Sequence, residues 1–145
     1  MKKSGKKIAA MAAAVVMMFS GSAIGASAGS PYTLKSYYEH GDNGYISTSM
    51  FTYKYTNSYK RSVKCATTCK KSGSWYMYVR ATLKNKNMND LSSDGTALGN
   101  MTTGSSLTAT ATKASSNIKY AYNYSYLSKS PSGKHYDATI MINAF

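Results

Sequence analysis

Side chains alternate between polar and apolar or aromatic along nearly all of the chain after residue 28, and this alternation limits the fold more than any other feature. A period of two is typical of strands with one buried face, and the 3.6-residue period of helices is almost absent. Clusters rich in glycine, proline, aspartate and serine interrupt the alternation and predict turns. These clusters are residues 40–44, 71–73, 92–95, 104–105 and 130–133.

The stretches between these turns predict six to eight short strands. The candidates are residues 32–38, 45–70 with a break near Asn57 and Ser58, 74–86, 107–113, 117–127 and 135–143. Short strands at this spacing favour an all-β fold. We expect a small antiparallel β-sandwich, with a small barrel as the alternative.

The first 28 residues predict export. Four lysines precede an apolar or small run at residues 8–19, and Ala26-Ser27-Ala28 matches the small-residue rule for signal cleavage. The run is shorter than the roughly 20 residues of a spanning helix, so we expect a cleaved signal peptide and no transmembrane segment in the mature chain. Residues 29–145 then form a single domain of a secreted, extracellular protein, which could also associate with a cell wall.

The charge of the exported part predicts an anionic partner. The chain has 18 basic and five acidic residues, and four basic residues lie in the signal, so 14 against five remain, a net charge of +9. An exported protein of this charge is attracted to anionic polymers and acidic glycans outside the cell. The same charge would also keep molecules apart in solution, and that interpretation stays open. We expect no specific nucleic-acid partner, and the sequence leaves the oligomeric state open.

The turn at residues 71–73 predicts a β-hairpin. With Gly73 in the left-handed conformation, a three-residue loop pairs the preceding strand with residues 74–86. One face of this hairpin is apolar and is predicted to be core. Its members are Val63, Cys65, Thr67 and Cys69, facing Ala81, Val79, Met77 and Trp75.

The other face of the predicted hairpin carries the candidate binding residues, which are Lys60, Lys64, Arg80, Lys84, Tyr76 and Tyr78. The register sets Lys64 opposite Arg80 and a second pair of lysines opposite each other, an arrangement that like-charge repulsion disfavours. One interpretation is a basic and aromatic face that binds an anionic polymer. The other is that lysines on an edge hairpin prevent it from pairing with other chains.

Four tyrosines, Tyr120, Tyr122, Tyr124 and Tyr126, share one face of the strand predicted at residues 117–127. The opposite face carries Lys119, Ala121, Asn123, Ser125 and Leu127. Because that opposite face is too polar for a core, we expect the tyrosines to face inward, with their hydroxyls reaching water. The alternative is an exposed aromatic platform for sugar rings. The same reasoning applies to Phe51, Tyr53 and Tyr55.

The two cysteines, Cys65 and Cys69, are predicted to form a disulfide, because exported proteins form such bonds. In a straight strand their Cα atoms would lie about 13 Å apart, and a bridge needs less than about 7 Å. The disulfide therefore requires a bulge between them. A metal site is not expected, since only His40 and His135 could complete the ligand set.

No catalytic role is expected for any residue. His40 lies in a predicted turn and His135 follows one, so both are predicted to be surface loop residues, and none of the five acidic residues forms a recognisable pair. The chain after the predicted cleavage site contains no phosphate-binding loop, no GxSxG and no HExxH motif. We therefore expect a protein that is not an enzyme and uses no cofactor.

Three short stretches carry a resemblance to a known family. They are Ser36-Tyr37-Tyr38-Glu39-His40-Gly41, Gly73-Ser74-Trp75 and Tyr120-Ala121-Tyr122. Together they resemble the small secreted β-sandwich bacteriocins of the lactococcin 972 type. The resemblance implies a secreted inhibitor of growth.

These observations together predict a non-catalytic extracellular protein that binds anionic polymer or glycan surfaces. Two alternatives remain open at this point. One is a secreted antimicrobial protein that acts on cell envelopes. The other is a matrix protein that assembles through its strand edges.

Overall fold

The structure, a computed structural model, describes residues 31–41, 44–56 and 58–145, with residues 31–40 described by their backbone alone. The predicted signal peptide, residues 1–28, lies outside the described residues. Asp42 and Asn43 in the first predicted turn, and Asn57 at the break predicted within residues 45–70, also lie outside the described residues.

The described part of the chain folds into eight strands in two antiparallel sheets. The strands are β1 (Pro31–His40), β2 (Ile46–Tyr55), β3 (Lys60–Cys69), β4 (Trp75–Asn85), β5 (Asp90–Met101), β6 (Ser106–Ala114), β7 (Ile118–Ser128) and β8 (Tyr136–Asn143). Sheet A has the order β1-β2-β3-β6 and sheet B the order β5-β4-β7-β8. The predicted all-β sandwich is confirmed, and the two sheets do not close into a barrel.

The predicted turn at residues 92–95 is wrong, because these residues lie inside strand β5. β5 is an edge strand that pairs only with β4, so small polar residues are tolerated on it. Gly95 serves close packing here: a Cβ atom at this position would lie 2.9 Å from the hydroxyl oxygen of Tyr78. The glycine that suggested a turn therefore makes room for an aromatic ring.

The predicted hairpin at residues 71–73 is also wrong, although its turn is present. Gly73 has the expected positive φ, 98°. The turn passes from sheet A to sheet B, so that β3 pairs with β2 and β6, whereas β4 pairs with β5 and β7. The two apolar faces thus meet across the core instead of lying side by side. The predicted cross-strand pairs do not form, since Lys64 lies between Phe51 and Thr110 and not opposite Arg80.

The core lies between the two sheets and includes the whole predicted apolar face of the hairpin. All eight of those residues are buried, with Trp75 at 5% exposure and Val63, Met77 and Val79 at 0%. β7 and β8 complete the core with Leu127, Ile140 and other apolar residues. The alternation therefore identified the buried face of β3 and β4 correctly.

A buried network of hydrogen bonds joins the two sheets at the middle of the core. From sheet A, the Thr48 hydroxyl donates to Asn123 Oδ1 at 3.0 Å, and the Thr67 hydroxyl donates to Ser125 Oγ at 2.6 Å. Within sheet B, Ser125 Oγ lies 3.2 Å from Asn123 Oδ1, and Asn123 Nδ2 donates to the Arg80 carbonyl at 3.3 Å. All four side chains are at most 1% exposed. Each therefore finds its partner inside the protein, as buried polar groups require.

This network reverses the expected orientation of β7. Asn123 and Ser125 face the core with Ala121 and Leu127, all at 0% exposure. The four tyrosines of β7 consequently face outward, and the prediction that they are core is wrong. A polar face can be the inner face because threonines on sheet A satisfy its hydrogen bonds.

The predicted disulfide is absent, and both thiols are free. β2 and β3 pair without a register shift, so no bulge brings Cys65 toward Cys69. Both side chains face the core and are fully buried. Burial raises the pKa of the Cys65 thiol to about 12, which makes it a poor nucleophile.

Replacing Asn123 tests the network. Asn123→Ala removes the acceptor that Thr48 and Ser125 share and the donor to the Arg80 carbonyl, so we expect the free energy of unfolding to fall by about 2–3 kcal/mol. The matched control is Asn117→Ala at the exposed turn before β7, which should change stability by less than about 0.5 kcal/mol. Urea unfolding followed by circular dichroism measures both. Equal losses in the two variants would contradict a structural role for the network.

Thiol labelling tests the state of the cysteines. The native protein should resist a thiol reagent because both sulfurs are buried. The unreduced protein in denaturant should release two thiols per chain. Labelling of none in denaturant would show that the disulfide exists and that β3 is bulged.

Candidate ligand-binding face

Six tyrosines cover the outer surface of sheet B, which we call the tyrosine face. They are Tyr76 and Tyr78 on β4 and Tyr120, Tyr122, Tyr124 and Tyr126 on β7. The register of the two central strands sets Tyr78 opposite Tyr126. All six side chains are partly buried, so that part of each ring meets solvent.

Four rings of the tyrosine face, those of Tyr76, Tyr78, Tyr124 and Tyr126, contact one another as a layer. Tyr78 and Tyr126 are stacked with centroids 5.2 Å apart and planes at 27°. His135 lies against Tyr126 with centroids 3.8 Å apart and planes at 7°. Tyr124 lies 5.9 Å from Tyr126. These separations are close to or within the usual range of favourable aromatic pairs, so the layer is held in place before any ligand arrives.

The side of the tyrosine face formed by β5 carries only short side chains. Register places Ser93, Gly95 and Ala97 there, opposite Thr82, Arg80 and Tyr78 in turn. These three side chains are short or absent. The Tyr78 ring therefore extends over Gly95 without obstruction, and the sheet offers a broad surface rather than a deep pocket.

Two of the predicted cations lie on the tyrosine face, but they share a carboxylate. Arg80 forms an ion pair with Asp90 at 3.0 Å, and Lys84 Nζ contacts the other oxygen of the same side chain. Arg80 Nε also donates to Ser93 Oγ at 2.7 Å, and Lys84 lies over the Tyr122 ring at 5.1 Å. The two cations are thus held in place and partly neutralised by Asp90.

The other two predicted cations lie on the opposite side of the sandwich. Lys60 and Lys64 point to the outer surface of sheet A, with Lys60 4.7 Å over the Tyr55 ring. Lys64 is 5% exposed, and burial lowers the pKa of its ammonium group. The six predicted residues therefore do not form one site. Four lie together on the tyrosine face, and two are separated from them by the core.

His135 and the tyrosines of β7 are members of the face that sequence reasoning missed or placed in the core. The sequence predicts His135 only as a surface loop residue. One signal in the sequence could have shown the correct orientation of β7. The apolar faces of β3 and β4 were already assigned to the core, and four tyrosines on one strand would add a large volume to it.

In the part of the chain that the structure describes, no three His, Cys, Asp or Glu side chains come together as metal ligands. The described residues also include no helix long and apolar enough to cross a bilayer.

Comparison with models of protein families and with curated proteins finds no match. Among solved structures, the chain is similar to a β-glucuronidase from glycoside hydrolase family 2, at 7% identity and a TM-score of 0.37, over 74% of this chain and 11% of that one. It is also similar to the Northeast Structural Genomics Consortium target SoR45, at 11% identity and a TM-score of 0.32, over 78% of this chain and 84% of that one. Neither likeness is close enough to bear on function.

Phenol ionisation tests the packing of the tyrosine face. Burial raises the pKa of Tyr124 and Tyr126. Neighbouring tyrosines add to the effect at both residues, and Asp137 raises the pKa of Tyr124 further. A phenol with a raised pKa favours the fold at low pH, and this stabilisation is lost as the pH rises above about 10. We expect part of the tyrosine absorbance change to occur at higher pH in the native than in the urea-unfolded chain. The absorbance change at higher pH should be smaller in the double variant Tyr124→Phe/Tyr126→Phe. If it is unchanged in that variant, the result contradicts this packing.

Proposed function

We propose that the mature chain is an extracellular, non-catalytic protein that binds acidic glycan surfaces through the tyrosine face. Export follows from the predicted signal peptide, and the net positive charge of the remaining chain attracts the protein to such polymers. The tyrosine face then supplies the contact.

The observation that carries this proposal is the outward position of six tyrosines. The solvent-facing surface of a sheet is normally polar, and a contiguous aromatic patch on it marks a binding site. Each ring offers an apolar surface for a sugar ring and a hydroxyl for a sugar hydroxyl. Stacking between Tyr78, Tyr126 and His135 reduces the side-chain entropy lost on binding, because the rings are already ordered.

The charged groups on the tyrosine face orient a bound ligand more than they add to its affinity. Asp90 holds Arg80 and Lys84 in fixed positions at one end of the ring layer. Around Asp90 the two cations leave one positive charge, which suits a carboxylate on an acidic sugar, whereas Asp137 lies on the β8 side of the face, opposite Tyr126. Binding should weaken with salt, since the screening length is about 8 Å at physiological ionic strength.

Replacing Tyr78 tests the proposal with hyaluronate as the acidic glycan and inorganic polyphosphate as an anion without sugar rings. Tyr78→Ala should lower affinity for hyaluronate by about threefold to tenfold, the value of one aromatic contact, and leave affinity for polyphosphate nearly unchanged. Tyr78→Phe keeps the ring and should bind almost as the original chain does. Isothermal titration calorimetry measures all three.

The matched control is Tyr59→Ala, because Tyr59 is 69% exposed and lies between β2 and β3, away from sheet B. It should bind hyaluronate normally. Circular dichroism checks that each variant is folded. If Tyr78→Ala is folded and binds hyaluronate as tightly as Tyr59→Ala does, the tyrosine face is not the glycan site.

A further inference from the structure

Three aromatic rings meet at the end of the sandwich where β3 passes into β4. Tyr45 precedes β2, Trp75 begins β4 and Tyr136 begins β8. Their centroids lie 5.7 Å apart for Tyr45 and Trp75, 4.2 Å for Tyr45 and Tyr136, and 6.0 Å for Trp75 and Tyr136. We call these three residues the aromatic trio. They form one contiguous cluster, separate from the tyrosine face.

Each ring of the trio carries one lysine ammonium group. Lys71 Nζ lies 4.8 Å from the Tyr45 centroid, Lys129 Nζ 3.8 Å from the Trp75 ring and Lys134 Nζ 5.2 Å from the Tyr136 ring. These distances are within the range of cation–π contacts. Because the rings touch, the three ammonium groups belong to a single patch.

The three lysines come from two separate connections of the chain. Lys71 lies in the turn between β3 and β4, and Lys129 and Lys134 lie between β7 and β8. All three are exposed. Lys129 also donates to the Ser74 carbonyl at 3.3 Å, which ties one connection to the other. The fold therefore gathers these charges, and no local sequence run predicts the patch.

The charge of this patch is available to a ligand in a way that the charge of Arg80 and Lys84 is not. Both ion pairs found among the described residues use Asp90, near the far end of β4 from Trp75. An aromatic ring positions an ammonium group without cancelling its charge, whereas a carboxylate cancels it. The patch thus presents three positioned positive charges.

We propose that this patch binds consecutive phosphate groups of a linear phosphate polymer. Lysine ammonium groups act as point charges toward phosphate, with up to three N–H donors each. Three of them in one patch suit an anion with several closely spaced charges better than a single carboxylate. This proposal goes beyond the glycan function, because it concerns another surface and either one can hold without the other.

The test uses long-chain inorganic polyphosphate and the fluorescence of Trp75, the one tryptophan in the sequence. Binding at the patch should draw Lys129 toward phosphate and change the emission of the ring beneath it. Neutral dextran should leave the emission unchanged. A change with dextran, or none with polyphosphate, would overturn the proposal.

Charge-matched variants separate a site from general attraction. The triple variant Lys71→Ser/Lys129→Ser/Lys134→Ser should lose about tenfold in affinity for polyphosphate, as expected for three exposed ionic contacts. The control Lys86→Ser/Lys113→Ser/Lys119→Ser removes three exposed lysines outside the patch and should lose less than about twofold. Equal losses would show that only net charge matters, and would contradict the proposal.

Two further measurements complete the test. Replacing the same three lysines of the patch with arginine should keep affinity, since the charge remains. Vesicles of phosphatidylglycerol present the same phosphate chemistry as a lipid headgroup, and binding to them without binding to polyphosphate would overturn the proposal of a polymer. Hyaluronate binding by the serine variant of the patch reports separately on the tyrosine face, so the two proposals fail independently.

Discussion

The hydrogen bonds between Thr48, Thr67, Asn123 and Ser125 are the interaction on which the outer surface of this sandwich depends. They join the two sheets through a part of the core where apolar side chains would otherwise meet. Because side chains of a strand alternate between its faces, turning Asn123 and Ser125 inward turns every tyrosine of β7 outward. A local choice of polar partners thus decides the chemistry of a whole sheet surface.

That surface combines stability with accessibility. Aromatic rings on an open sheet expose apolar area to water unless they cover one another. Here Tyr78, Tyr126 and His135 cover one another by stacking. Gly95 on the neighbouring edge strand leaves room for the Tyr78 ring. The same contacts that stabilise the layer also order its rings, which is why the proposal of glycan binding rests on the tyrosine face.

Positive charge takes two different forms in this structure. Arg80 and Lys84 share Asp90, so the sheet surface is nearly balanced where sequence reasoning expected a basic face. At the end of the sandwich, Lys71, Lys129 and Lys134 rest on rings and keep their charge. Net charge alone cannot distinguish these situations, because it counts cations without their neighbours.

The sequence by itself determined the all-β class, most strand positions, the turn at Gly73 and the buried face of β3 and β4, because side-chain alternation and turn chemistry are local properties. Only the tertiary structure decided which strands pair. A turn with Gly73 and two apolar faces fits a hairpin within one sheet as well as a crossover between two, and the core selected the crossover. The orientation of β7 and the free state of Cys65 and Cys69 were likewise tertiary outcomes. They depend on hydrogen-bond partners and strand register that lie far away in the chain, and alternation carries no information about either.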